Sequence, residues 1–296
     1  MSKAERTRSL NAQARIAEMQ ARQRRAEQRR RLLLVFGSTF LVIVVVVTFI
    51  VVKSLQSPAK QAAGSHGGLP SKVVNDVLNV PASTLSTVGT GALPPVSELP
   101  LKSISDTSLA KVNGKPEMLY IGAEFCPYCA AMRWSMAVAL GRFGSFGTIK
   151  GIHSSSTDVD PNTATLTFYK QKYSSPYLTF TPVENETISH APLQATTKAQ
   201  QALWVKYDSQ DGGTGYPFIY FGGKVILTGP LYDPAVLKGL SWSQIASQLS
   251  NPNSQVTQNV IGAANYLTAA ICKMTGNSPA SVCQAAPVTK IEPTIK

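Results

Sequence analysis

The residues best suited to chemistry in this chain are two thiols three positions apart, in the run Cys126-Pro127-Tyr128-Cys129. An apolar stretch, Met118-Leu119-Tyr120-Ile121, leads into them, and residues 130–143, AAMRWSMAVALGRF, follow with the composition of a helix. Strand, C-x-x-C and helix in that order suit thiol–disulfide exchange. The first sulfur sits where the helix begins, so unpaired backbone N–H groups and the positive end of the dipole favour its thiolate. The second lies within the first turn, close enough to close a small disulfide ring. Pro127 falls at the first helical position, where its missing N–H leaves nothing unsatisfied. Half of a zinc site has the same spacing, but a single C-x-x-C needs two more ligands. Cys272 and Cys283 are separated by ten residues, and the three histidines are scattered. Ala130 follows Cys129, which excludes the C-x-x-C-H of haem attachment. Neither a metal nor a cofactor is expected.

These thiols need a scaffold. The helix after them is expected to run to about Phe143 and stop at Gly144, with Trp134, Met136, Val138 and Leu140 inward and Arg133 and Arg142 toward solvent. Residues 148–153 read as a second, parallel strand, and His153 at its end as a packed or surface histidine rather than a catalytic one. Residues 154–215 look like an insertion, with strands over 163–168 and 177–180, a helix over 193–208 and a loop after it. It contains a glycosylation sequon, Asn185-Glu186-Thr187. A second informative stretch begins at Gly215: Tyr216-Pro217, an apolar strand, a Gly222-Gly223 turn and another strand, which together predict a hairpin. Residues 234–249 and 254–274 read as helices, the latter with Val256, Val260, Ala263, Leu267 and Ile271 on one side. Residues 72–117 predict one short helix or strand within mostly irregular chain, ending in a turn at Asn113-Gly114-Lys115-Pro116.

The rest of the chain concerns location. Residues 1–31 hold ten Lys/Arg against three Glu, a net +7 of the formal +12. The other 265 residues carry only +5, so the high charge is a property of the tail and gives no reason to expect nucleic-acid binding. Residues 32–52 contain no charge. At about 1.5 Å per residue they span about 30 Å, the thickness of the hydrocarbon layer. A cleaved signal has an apolar core of only about 7–15 residues and a small-residue cleavage site after it. The expectation is therefore an uncleaved single-pass membrane helix. Arg29, Arg30 and Arg31 on one side against Lys53 on the other place residues 1–31 in the cytoplasm and everything beyond about residue 53 outside. Residues 53–71, small, polar and Gly/Pro-containing, read as a flexible stalk, and residues 72–296 as one extracytoplasmic domain.

The order strand, C-x-x-C, helix, strand, insertion, proline, hairpin, helix resembles the thioredoxin superfamily. Ala123-Glu124-Phe125-Cys126 is similar to the residues that precede the first active-site cysteine of thioredoxins, and Cys126-Pro127-Tyr128-Cys129 to the glutaredoxin dithiol. Tyr216-Pro217 matches the position of the superfamily's cis-proline, which packs against the dithiol and helps bind substrate. Over residues 75–285 the chain also resembles a narrower, membrane-anchored prokaryotic family, domain of unknown function 929. The segments YIGAEFCPYCAAMRWSMAVALGRFG and IGAANYLTAAIC carry that likeness. One departure from thioredoxins stands out. A buried acid six residues before the first cysteine helps them deprotonate the second; here that position is Tyr120, a poor base at neutral pH. Glu124 is the nearest other acid and is expected to face solvent.

The resemblance implies an α/β thioredoxin-like fold with an insertion and extra C-terminal helices, preceded by one transmembrane helix. It implies a membrane-tethered oxidoreductase acting on cysteines of exported or envelope proteins, with a membrane redox partner. Cys126 would be the nucleophile and Cys129 the resolving thiol, with Pro127, Tyr128, Tyr216 and Pro217 shaping the substrate groove. Four cysteines allow three pairings. The pairing expected is a reversible Cys126–Cys129 couple and a structural Cys272–Cys283 clamp, with a relay between the two as the alternative. The rival reading is a thioredoxin-like envelope binding or scaffold module whose disulfide is not catalytic.

Overall fold

The structure, a computed structural model, describes residues 67–210 and 213–296. The basic tail, the expected membrane helix and stalk residues 53–66 lie outside the described residues. Among the described residues no helix is long and apolar enough to cross a membrane. Residues 67–69 are already docked: the Leu69 N–H donates to the Ile149 carbonyl, and the Gly151 N–H donates to that of Gly67.

Two short helices, α1 (Ser71–Leu78) and α2 (Ala82–Val88), come first, where one short element was expected. Strands β1 (Leu101–Ser103), β2 (Lys111–Val112) and β3 (Lys115–Gly122) follow, then α3 (Pro127–Gly141). Next come β4 (Ser145–Phe146), β5 (Lys150–His153), β6 (Ala164–Thr167), β7 (Tyr173–Ser174) and β8 (Thr179–Glu184). Helix α4 (Lys198–Asp208) leads to the short β9 (Ser209–Gln210) and β10 (Gly213–Thr214), then to the hairpin of β11 (Phe218–Phe221) and β12 (Val225–Thr228). The chain closes with α5 (Trp242–Gln248), α6 (Gln255–Thr275), α7 (Ala280–Cys283) and α8 (Val288–Ile291).

The result is a mixed α/β architecture around one central sheet. Its strands run in the order β1-β12-β11-β3-β2, and β8 also pairs with β3. Strand β8 is parallel to β3, with Tyr120 opposite Pro182, while β11 is antiparallel to β3, with Tyr120 opposite Ile219. The Met118-Leu119-Tyr120-Ile121 run is wholly buried because both sheet faces are covered. Met118 and Tyr120 join the cluster of α3 and α6, including Trp134, Leu140, Val260 and Leu267. Leu119 and Ile121 meet Leu203 and Trp204 of α4 on the opposite face. Alternation along a strand sends successive side chains to opposite layers.

Helices α3 and α6 are apolar nearly all round, the pattern of helices enclosed by a core. They pack against each other, and Ser135 Oγ donates to the Val260 carbonyl at 2.8 Å. The Gly222-Gly223 turn takes positive φ at both residues, and a Cβ at Gly223 would collide with the Asp106 carbonyl.

Three expectations are corrected. Residues 150–153 do not join the main sheet as a parallel strand; β5 pairs antiparallel with β6 in a separate two-stranded ladder. The parallel neighbour of β3 is instead β8, so residues 154–215 supply a strand of the main sheet, at its edge, and a covering helix rather than a mere insertion. Arg133 is fully buried and Arg142 largely so, because α3 is buried on every side from Cys129 to Leu140.

Candidate active site

Cys126 is the N-cap of α3, with Pro127 at the first position. Its sulfur accepts the backbone N–H of Cys129 at 3.2 Å, satisfying one of the donors that a helix start leaves open. Neither thiol is disulfide-bonded in this structure. Cys129 is wholly enclosed, and Cys126 is only 4% exposed. The turn from Gly122 to Cys126 is pinned from two sides. Asn185 N–H donates to the Gly122 carbonyl at 2.7 Å, Glu124 N–H to that of Glu186 at 2.9 Å, and Ser155 N–H to that of Phe125 at 2.8 Å.

The electrostatics separate the two thiols. Cys126 is held below the ordinary thiol range, chiefly by a hydrogen bond from the Cys129 thiol and further by the backbone N–H groups of Cys129 and Tyr128 and by Arg133; burial works the other way. Cys129 is pushed well above that range, first by burial and then by its hydrogen bond to, and the charge of, Cys126. The outer sulfur is thus the better thiolate and the inner one keeps its proton.

Beneath them lies a buried ion pair. Arg133 Nε donates to Glu184 Oε1 at 2.9 Å and Nη2 to Oε2 at 2.7 Å, while Nη2 also donates to the Ala123 carbonyl at 2.7 Å. Both side chains are fully buried. Burial opposes the Arg133 charge, but Glu184, Tyr120 and Cys129 outweigh it and the guanidinium stays protonated. The Phe168 N–H also donates to Glu184 Oε1, at 3.1 Å. Tyr120 lies under the dithiol, and burial raises its phenol pKa well above the usual value. A Cβ at Gly122 would collide with its hydroxyl, so that position takes glycine. Glu124 does not face solvent as expected: it is 1% exposed and accepts from Thr167 Oγ1 at 2.6 Å.

Tyr216 is half-buried against Ala123, Cys126 and Cys129, and the Tyr216-Pro217 bond is cis. Pro217 is buried beside it. Asp208, at the end of α4, holds this segment by accepting the Gly215 N–H at 2.8 Å and Trp204 Nε1 at 3.2 Å. Tyr216 Oη donates to Glu186 Oε1 at 3.3 Å. The Phe125 and His190 rings meet at 3.9 Å. Tyr128 remains 39% exposed at the mouth. The arrangement can present a nucleophilic sulfur at a rim of Phe125, Tyr128, Tyr216 and His190.

Of the residues singled out in the sequence, Cys126, Pro127, Tyr128, Cys129, Tyr216 and Pro217 come together here. Cys272 and Cys283 do not; they form a disulfide that ties the end of α6 to α7, with Cα atoms 5.5 Å apart. His153 is half-buried against the Trp242 ring, with ring centroids 4.4 Å apart. Among the described residues there is no group of three or more His, Cys, Asp or Glu placed to hold a metal. Sequence reasoning missed Arg133, Glu184, Glu186, His190 and Asp208. Only Arg133 left a legible signal, a lone charge inside an apolar helix one turn after Cys129.

No curated protein and no solved structure matches this chain. Residues 11–63, all outside the described residues, match a model described as an inhibitor of host cell division protein domain. Residues 101–273, from β1 through the dithiol and the cis-proline into α6, match the model of domain of unknown function 929. That match covers more than half of the 296 residues, and the chain belongs to this family.

Proposed function

We propose that the chain is a membrane-tethered, extracytoplasmic thiol–disulfide oxidoreductase with a thioredoxin-like fold. Cys126 attacks a substrate disulfide, or as part of a disulfide is attacked by a substrate thiol, and Cys129 resolves the mixed disulfide. One observation carries this reading: the Cys126 sulfur caps α3 and accepts the Cys129 N–H, next to a cis-proline. The order β3, dithiol helix, parallel β8, cis-proline, antiparallel hairpin and helix α6 supports the fold assignment. Tyr128, Tyr216 and Pro217 shape the groove for cysteine-containing exported or envelope proteins. A membrane partner would restore the redox state, and residues 32–52 would supply the anchor.

The test is disulfide transfer to a model peptide. Cys126→Ala should lose it; equal transfer by Cys126→Ala and wild type would end the proposal. A thiol reagent unable to cross membranes should label the reduced domain in intact cells, and protection from it would overturn the topology.

A further inference from the structure

Several buried side-chain polar atoms among the described residues lack a hydrogen-bond partner, and two of them lie beneath the dithiol: Tyr120 Oη and Arg133 Nη1. Buried donors are almost always satisfied, so an open one calls for a reason. Arg133 follows Cys129 by four residues in α3, on the same helix face. Tyr120 lies over Gly122, and its charge state is coupled to those of Cys129 and Arg133.

We infer that Arg133 and Tyr120 are positioning residues that hold the Cys129 thiolate during resolution, in place of a buried acid. The inference rests on the oxidoreductase reading above. In the step concerned, Cys126 Sγ is already bonded to a substrate sulfur. Cys129 Sγ attacks Cys126 Sγ, the Cys126–Cys129 bond forms, and the bond to the substrate breaks. The substrate sulfur leaves with the electron pair and takes up the proton that Cys129 gave up. The dithiol is oxidised and the substrate disulfide reduced.

Timing follows from the neighbours. The charged or titratable groups that face Cys129 are Cys126 and Arg133 from α3, Tyr120 from β3, Glu184 from β8 and Tyr216 before β11. In the reduced state Cys126 keeps the proton on Cys129, as anion and as acceptor. Capping Cys126 with substrate removes both influences at once. The open Arg133 and Tyr120 donors then meet an anion that exists only at that stage, the arrangement that favours a transition state over a ground state.

The test uses the detergent-solubilised full chain, with the Cys126–Cys129 dithiol reduced and the Cys272–Cys283 disulfide intact, mixed rapidly with dithiobis(nitrobenzoate). The first nitrothiobenzoate released reports attack by Cys126, and the second reports resolution by Cys129. Arg133→Met with Glu184→Gln should move the pH midpoint of the second phase up by about one unit, slowing it about tenfold at neutral pH. Glu184→Gln alone, which keeps the cation and removes its counter-charge, should move the midpoint down. Tyr120→Phe, which deletes the hydroxyl that faces the Cys129 sulfur, should slow the second phase about fivefold and spare the first. Shifts of the same sign in the first two variants, or an unchanged second phase in Tyr120→Phe, would overturn the inference. If the Arg133 and Glu184 variants fail to fold, Tyr120→Phe decides alone. Any competent dithiol attacks this reagent, so failure here is distinct from failure to act on peptides.

Discussion

The molecule contains two pairs of cysteines, nearly equally buried, in opposite surroundings. Cys272 and Cys283 sit in the apolar cluster with Ile271, Val288 and Ile291 and are joined to each other. Cys126 and Cys129 sit at a helix start, above Arg133, Glu184 and Tyr120, and are not joined. Burial therefore does not distinguish the free pair from the bonded one here. The difference is the field: open backbone donors and a buried cation beside one pair, hydrocarbon around the other.

The sharpest way to break this comparison is to remove each pair. Cys126→Ser should bring disulfide transfer to background with little change in the urea midpoint. Cys272→Ser with Cys283→Ser should do the reverse, lowering stability by about 3 kcal/mol while each folded molecule keeps its activity. If the clamp variant loses transfer while still folded, the two pairs are a relay and not two separate devices.

A second experiment removes the field itself. Arg133→Met leaves Glu184 buried without its partner and should cost about 3–5 kcal/mol in urea denaturation. Restoring neutrality with Glu184→Gln should recover much of that loss. No recovery would mean that packing around Arg133, rather than charge compensation, holds this region.

A smaller effect concerns pH. Cys126 is shifted down and Cys129 up, so alkylation of the reduced protein should proceed in two steps on either side of the free-thiol range of about 8.5. The linkage has a sign for each. The depressed Cys126 adds stability that is present above the unfolded value and fades as pH falls through the folded one. The raised Cys129 favours the fold at low pH, and that contribution is lost as pH rises past the unfolded value. A single step at the free-thiol value would remove the electrostatic distinction between the pairs.

The smallest effect lies away from both pairs. Burial against Trp242 lowers the His153 pKa, so the unfolded chain takes up a proton first as pH drops below about 6.5. Melting temperature should fall slightly in that window, and His153→Gln should flatten the slope. A slope unchanged in His153→Gln would assign it to another group.

What was legible in the sequence was local. The dithiol helix, the Gly222-Gly223 hairpin and the long helix near the C-terminus each carry their signal within a few turns or strands. What was not legible depended on distant partners. Arg133 stands out as the one charge in α3, but its burial cannot be read without Glu184, 51 positions away, which neutralises it. Strand β8 carries Pro182 in its middle, a residue that weakens any strand assignment, and its pairing with β3 is parallel and non-local. Residues 148–153 have the right composition for that place, and composition alone does not choose between two candidate neighbours. Glu124 follows the same rule, since the Thr167 hydroxyl that receives it lies on another strand.

Helix α6 gives the dithiol a history as well as a place. It packs on α3, yet it begins more than 120 residues after Cys129. A chain made from its N-terminus therefore delivers the dithiol helix long before its packing partner arrives. Until Thr275 has emerged, α3 lacks the helix that buries residues such as Trp134 and Leu140. The layer that buries the far side of the dithiol helix is thus among the last parts of the fold to be completed.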